Sequence, residues 1–163
     1  MPRSLAMFTR RRSIAMVCGA CCFVVGIAGC RRGPALHAIS GVVRFKSRPV
    51  AGATVGFSGR HPETGRPVLA VGTTDESGRF TLATRFSPRS SPRGVVTGSH
   101  RVTVEKMVPP KSMTGDEYAK RFAAGESIQL VPLFDTKYFS GDTTPLSAEV
   151  RAGSPLEFAF DIE

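Results

Sequence analysis

From residue 38 onward, apolar residues recur at every second position in short runs, and Gly, Pro, Asp and Ser separate the runs. A period of two sends successive side chains to opposite faces of a strand, so each run predicts a strand with one buried face. Between Ala38 and Phe45, the positions Ile39, Val43 and Phe45 share a face with Gly41. After a turn at Lys46-Ser47-Arg48-Pro49, Ala53, Val55 and Phe57 repeat the pattern. Val68 to Thr73 is apolar on both faces, which predicts an inner strand. Val102 and Val104 alternate with Arg101, Thr103 and Glu105 within His100 to Lys106, and Leu146, Ala148 and Val150 alternate with Ser147, Glu149 and Arg151. The final run sets Leu156, Phe158, Phe160 and Ile162 against Glu157, Ala159, Asp161 and Glu163, and predicts that Phe158 and Phe160 lie in the core.

Thr73 to Thr84 carries the sharpest local signal. Asp75 is placed to bond back onto a turn, Gly78 supplies positive φ, and Phe80 and Leu82 then point one way while Arg79, Thr81 and Ala83 point the other. One stretch departs from the period of two. Thr114 with Glu117 three residues on forms a capping box, Asp116 and Glu117 suit a positive helix end, Tyr118 and Phe122 are four apart, and Gly125 stops the run. This is a short helix inserted in a β framework. The fold predicted is all-β, an antiparallel two-sheet sandwich of about seven strands with one inserted helix.

The N-terminus obeys a different rule. Arg10, Arg11 and Arg12 precede an uncharged apolar run from Ile14 to Gly29, shorter than the roughly 20 residues a spanning helix needs. The run ends Ile27-Ala28-Gly29-Cys30, which resembles a bacterial lipobox. That resemblance implies cleavage before Cys30 and a lipid on its sulfur; a short uncleaved anchor is the alternative. The organisation expected is a signal peptide over 1–29, a lipidated tether over 30–37 and a sandwich domain over 38–163. Two or three acyl chains hold a protein stably where one does not. The location expected is therefore outside the cytoplasm, anchored to a membrane on the periplasmic face or the cell surface. Ile14 and Ala15 fit a twin-arginine signal weakly, so the export route stays open.

Removal of the signal changes the chemistry on offer. Cys18, Cys21 and Cys22 leave with it, and Cys30 is used by the lipid, so neither a disulfide nor a cysteine metal site is expected. Four of the 22 Lys and Arg residues leave as well, so that 18 basic groups face 13 acidic ones. An exported chain of this modest charge gives no reason to expect nucleic acid as a partner. Arg31 and Arg32 sit where anionic head groups would be, or serve as a solvated linker.

Gly41, Val43, Pro49, Val50, Gly52, Ala53, Val55 and Phe57, followed by Gly72, Thr74, Asp75, Gly78, Phe80 and Leu82, resemble the signature of the carboxypeptidase regulatory-like, or transthyretin-like, β-sandwich domain. The stretch from Leu146 to Ile162 is similar to the ending of small lipobox proteins abundant in planctomycete bacteria. These positions are turn and core residues, so the resemblance implies a fold rather than an activity. Relatives place an aromatic residue where His100 stands and an acidic Asp-Gly turn where this chain has Ser-Pro-Arg repeats. The catalytic member of the transthyretin-like class, hydroxyisourate hydrolase, uses histidines, an arginine and a Tyr-Arg-Gly-Ser tail. This chain ends Phe160-Asp161-Ile162-Glu163.

His37, His61 and His100 fall on different elements at no metal-ligand spacing, and no G-x-S-x-G elbow joins Ser, His and Asp. Asp75 to Gly78 lacks the alternating oxygens and closing glutamate of a calcium loop. Neither catalysis, a metal nor a cofactor is expected. The function expected is a lipid-anchored structural or interaction module of the cell envelope. The alternative is a module that binds an anionic envelope polymer or glycan. Its candidate anion-binding set is Arg85, Arg89 and Arg93, four residues apart in a Ser- and Pro-rich loop with no acid between Glu76 and Glu105. The absence of Trp and the presence of only Tyr118 and Tyr138 argue against aromatic sugar platforms.

Overall fold

The computed structural model describes residues 35–87, 90–153 and 156–163. In chain order its strands are β1 (Leu36–His37), β2 (Ile39–Phe45), β3 (Arg48–Pro49), β4 (Thr54–Arg60), β5 (Pro67–Thr73), β6 (Arg79–Thr81) and β7 (Ala83–Arg85). They continue with β8 (Val95–Val96), β9 (Gly98–Glu105), β10 (Met107–Val108), β11 (Val131–Pro132), β12 (Ser147–Val150) and β13 (Leu156–Ile162). Helix α1 (Gly115–Ala123) lies between β10 and β11, and a 3-10 turn (Thr136–Phe139) follows them.

Two sheets carry the fold. One has the order β12-β9-β4-β5-β7; in the other, β2 is flanked by β13 on one edge and by β3 and β6 on the opposite edge. Phe57 of β4 faces Phe80 of β6 and Phe158 and Phe160 of β13 across the gap, with ring centroids 5.8 to 6.5 Å apart. Val43, Ala53, Val55, Val102, Val104 and Ile162 fill the space around them. β5 is an inner strand by pairing, as its apolar run predicts, though Leu69 on it stays exposed to solvent.

Lys46 and Ser47, both at positive φ (50° and 64°), close the two-residue hairpin from β2 to β3. Asp75 Oδ1 accepts from the Ser77 and Arg79 N–H groups and from the Ser77 hydroxyl, and these bonds hold its carboxyl below the usual range, the hydroxyl contributing most. Gly78 takes φ 74° against the Val43 carbonyl. The turn is not a hairpin, however. β5 before it belongs to the five-stranded sheet, whereas β6 after it pairs with β2 in the other. At Leu82 the chain crosses back, and β7 pairs with β5.

Within the antiparallel sandwich predicted, the pairing of β13 with β2 is parallel, as is an isolated bridge between Ala83 and Gly94. β12 ends at the same end of the sandwich at which β2 begins, and the chain changes sheets there. β13 then runs alongside β2 in the same direction, in register from Leu156↔Ile39 to Ile162↔Phe45. As an edge strand, β13 buries its apolar face unevenly. Phe160 and Ile162 are buried, while Leu156 and Phe158 are only half-buried, so the expectation for Phe158 holds in part.

The two ends of the sandwich differ. At the entry end, β1 pairs with β8, so the last two residues of the expected tether are strand. Val96 O meets His100 Nε2 there, and the tip of the β4–β5 hairpin lies beside them, because only glycine at position 59 leaves room for the His100 ring. At the far end, Phe45 packs on Phe134, and Leu133 N–H donates to Lys106 O. The insertion β10–α1–β11 departs from this far end. Thr114 caps α1 by accepting from Glu117 N–H, Gly125 follows at φ 75°, and no residue of the helix is buried.

The uneven burial of β13 sets an order of effects. Phe160→Ala is expected to cost about 3–5 kcal/mol, and Phe158→Ala less, because part of its surface already faces water. Denaturant unfolding of both variants checks this; a larger loss at Phe158 would place β13 in a different register.

Candidate functional site

Cys30 and Arg89 lie outside the described residues, as do Cys18, Cys21 and Cys22. The other two arginines of the candidate anion set line different hollows. Arg85 ends β7, paired with Leu69, and lines an open cleft of about 430 Å³. Arg93 lines a separate hollow of about 220 Å³ with Ala38, Ser40, Thr81 and Gly94. The loop between them is folded back on itself: Thr84 N–H donates to Pro92 O, the buried Thr84 hydroxyl donates to Gly94 O at 2.6 Å, and Phe86 N–H donates to Ser90 O.

The residues that do converge on Arg85 come from the β4–β5 hairpin tip. His61, Thr64 and Arg66 line the same cleft, with Pro67, Val68 and Phe86 as its apolar wall. The tip is braced by its own bonds. His61 N–H donates to Arg66 O, Gly65 N–H donates to His61 O, and Arg60 Nη1 donates to Gly65 O at 3.0 Å. His61 Nδ1 accepts from the N–H groups of Glu63 and Thr64 at 3.2 and 3.3 Å. With Nδ1 accepting, the ring hydrogen available for donation is the one on Nε2. Among the described residues, neither Arg66 nor Arg85 enters an ion pair, and no carboxylate lines the cleft. Two guanidiniums, an imidazole N–H and the Thr64 hydroxyl beside a phenyl ring suit an anion with apolar neighbours. Sequence spacing misses Arg66 because the pairing of β5 with both β4 and β7 makes the cleft. The signal available was the register, in which Arg60↔Pro67 and Leu69↔Arg85 bring the hairpin tip beside the end of β7.

His100 occupies the core rather than a site. It is 2% exposed, packs 6.0 Å from Phe57, and donates from Nε2 to Val96 O at 3.0 Å, while Nδ1 is buried without a partner. Burial pulls its proton affinity below the ordinary value; the Val96 carbonyl and Glu149 act in the opposite sense. Among the described residues, no three His, Cys, Asp or Glu side chains are grouped to hold a metal, and no helix is long and apolar enough to cross a membrane. In comparisons with known proteins, the chain matches no family model, no curated protein and no solved structure.

Because folded His100 holds a proton less readily than the unfolded chain does, the unfolded state takes up more protons below the ordinary value of 6.5. The stabilisation is therefore complete above that pH and is lost as pH falls through it towards the lower folded value. Melting temperature is expected to fall between about pH 7.5 and 5.5, above the carboxylate range, and to fall less in His100→Phe. Parallel thermal scans of the two proteins check it; equal slopes would remove His100 as the cause.

Proposed function

We propose that the protein is a lipid-anchored, non-catalytic interaction module of the cell envelope. In this reading it is an exported β-sandwich of the carboxypeptidase regulatory-like type, held to a membrane through Cys30. The observation that carries the reading is the polarity of the sandwich. The chain enters the fold at β1, and only residues 31–35 separate Leu36 from Cys30. Even fully extended, that stretch reaches about 20 Å. A lipid on Cys30 therefore holds the entry end close to the bilayer.

The insertion leaves from the opposite end, one length of β9 away, roughly 25 Å. It carries Met107, Phe122 and Val131, three large apolar side chains exposed to solvent, with Phe122 67% exposed and stacked on Tyr118. Exposed apolar groups on an insertion that contributes nothing buried to the core suit contact with another protein. Anchor at one end and contact surface at the other make a presenting module. The sandwich sets the distance between them.

Radiolabelled palmitate is expected to enter the wild-type protein and not Cys30→Ala, and the variant is expected to leave the detergent phase. Membrane partitioning by Cys30→Ala with the signal still attached would overturn the anchor. Phe122→Ser, at an exposed position with little effect on stability, is expected to lose proteins that wild type retrieves from envelope extract; identical retrieval would overturn the interaction surface.

A further inference from the structure

The basic cleft lies at the entry end, the end that the tether holds near the bilayer. β4 runs towards this end and turns back at His61–Arg66, while β7 runs towards it and finishes at Arg85. Arg60, Arg66, Arg85 and Arg93 are all exposed here. Of the acids nearby, Glu63 is exposed on the hairpin tip, Glu149 accepts from the Ser99 hydroxyl, and Glu157 is paired with Arg79. Beside Arg85 stand Leu69 and Phe86, each about two-fifths exposed and both unshielded apolar groups. Guanidiniums next to exposed apolar side chains, on a face that points towards lipid, match what a bilayer interface offers: phosphate at the surface and hydrocarbon just below.

We propose that the cleft of His61, Arg66 and Arg85 docks the entry end onto the phosphates of anionic phospholipids, with Phe86 and Leu69 entering the interface. The inference rests on the anchoring by Cys30 proposed above, which supplies the proximity. Arg66 and Arg85 take phosphate oxygens bidentately, and the Nε2 hydrogen of His61, fixed by the two main-chain donors on Nδ1, adds a third contact. The bonds across the hairpin tip hold these groups in place before binding, so docking orders few residues. Docked, the domain stands with the insertion pointing away from the membrane.

The chain contains no Trp, so Phe86→Trp introduces a single indole at the proposed contact. The full-length protein carrying this change is incorporated through its own anchor into vesicles of phosphatidylcholine, or of equal parts phosphatidylcholine and phosphatidylglycerol. On the anionic vesicles, the indole emission is expected to shift to the blue and quenching by acrylamide to fall several-fold; high salt is expected to reverse both. Each arginine near an anionic surface contributes roughly a fivefold gain in binding, so adding Arg66→Ser and Arg85→Ser is expected to return quenching to its value on phosphatidylcholine. Equal quenching on the two vesicle types overturns docking. So does protection by soluble polygalacturonate with none from anionic vesicles, which assigns the cleft to an anionic polymer instead. Anchoring is scored separately, by flotation of wild type and Cys30→Ala with pure phosphatidylcholine vesicles. A protein that fails to float there fails the anchor reading, while its response to phosphatidylglycerol still decides the cleft.

Discussion

A sandwich whose chain changes sheets must find hydrogen-bond partners for the main-chain groups left behind at each crossing, and here buried side chains supply them. The four buried polar residues among those described all donate to a main-chain carbonyl: Thr74 to Val50, Thr84 to Gly94, His100 to Val96 and Thr144 to Val102, at 2.6 to 3.0 Å. Thr74 also accepts from Ala53 N–H, which fastens the turn after β5 to the segment leading into β4. Thr144 takes over from β12 just beyond its last ladder pair, where Val102 N–H already donates to Leu146 O. An unsatisfied buried carbonyl or N–H costs about 1–3 kcal/mol, so these few hydroxyls are comparable in weight with several buried methyl groups. They let the chain cross between sheets twice in a dozen residues, and that crossing brings β7 beside β5 and so creates the cleft.

The same crossings give the molecule two unlike ends. The entry end collects arginines on strand ends and a braced hairpin tip, whereas the far end carries an insertion whose helix is stabilised locally. Thr114 caps it, Asp116 and Glu117 sit in its first turn, and Arg121 pairs with Glu126 at 2.6 Å. A helix held by caps and an exposed ion pair draws little from the core, since such pairs contribute at most about 1 kcal/mol. Its apolar side chains are thus free of a structural duty. The hairpin tip gains its rigidity from main-chain bonds and leaves the Arg66 head group exposed in the same way.

Individual strands were legible in the sequence because alternation is a local property. Phe80 and Leu82, Val102 and Val104, and Ala148 and Val150 are buried as their spacing implies, and the cap at Thr114 and the stop at Gly125 stand where the residues put them. Pairing was less legible. Nothing in Thr73 to Thr84 distinguishes a hairpin from a turn that passes between sheets, since Asp75 and Gly78 serve both. The parallel register of β13 depends on where β12 ends, a fact of the whole fold. Regular spacing marked out Arg85, Arg89 and Arg93 in the sequence, whereas the cleft that Arg85 lines also takes His61 and Arg66, from 24 and 19 residues earlier in the chain.

Seven successive register pairs join β13 to β2, elements that lie more than a hundred residues apart in the chain. β2 is thereby the centre of its sheet, and one of its edges stays open until residues 156–162 have been made. During synthesis every shorter nascent chain leaves Phe57 and Phe80 without Phe160, their neighbour at 6.0 and 6.2 Å, and leaves the β13 side of β2 unpaired. Closure of the core is a late, long-range event, and contacts of such separation form slowly. The order of the strands therefore makes completion of the core wait on the segment that is synthesised last among those described, so that most of the polypeptide exists before its sandwich can close.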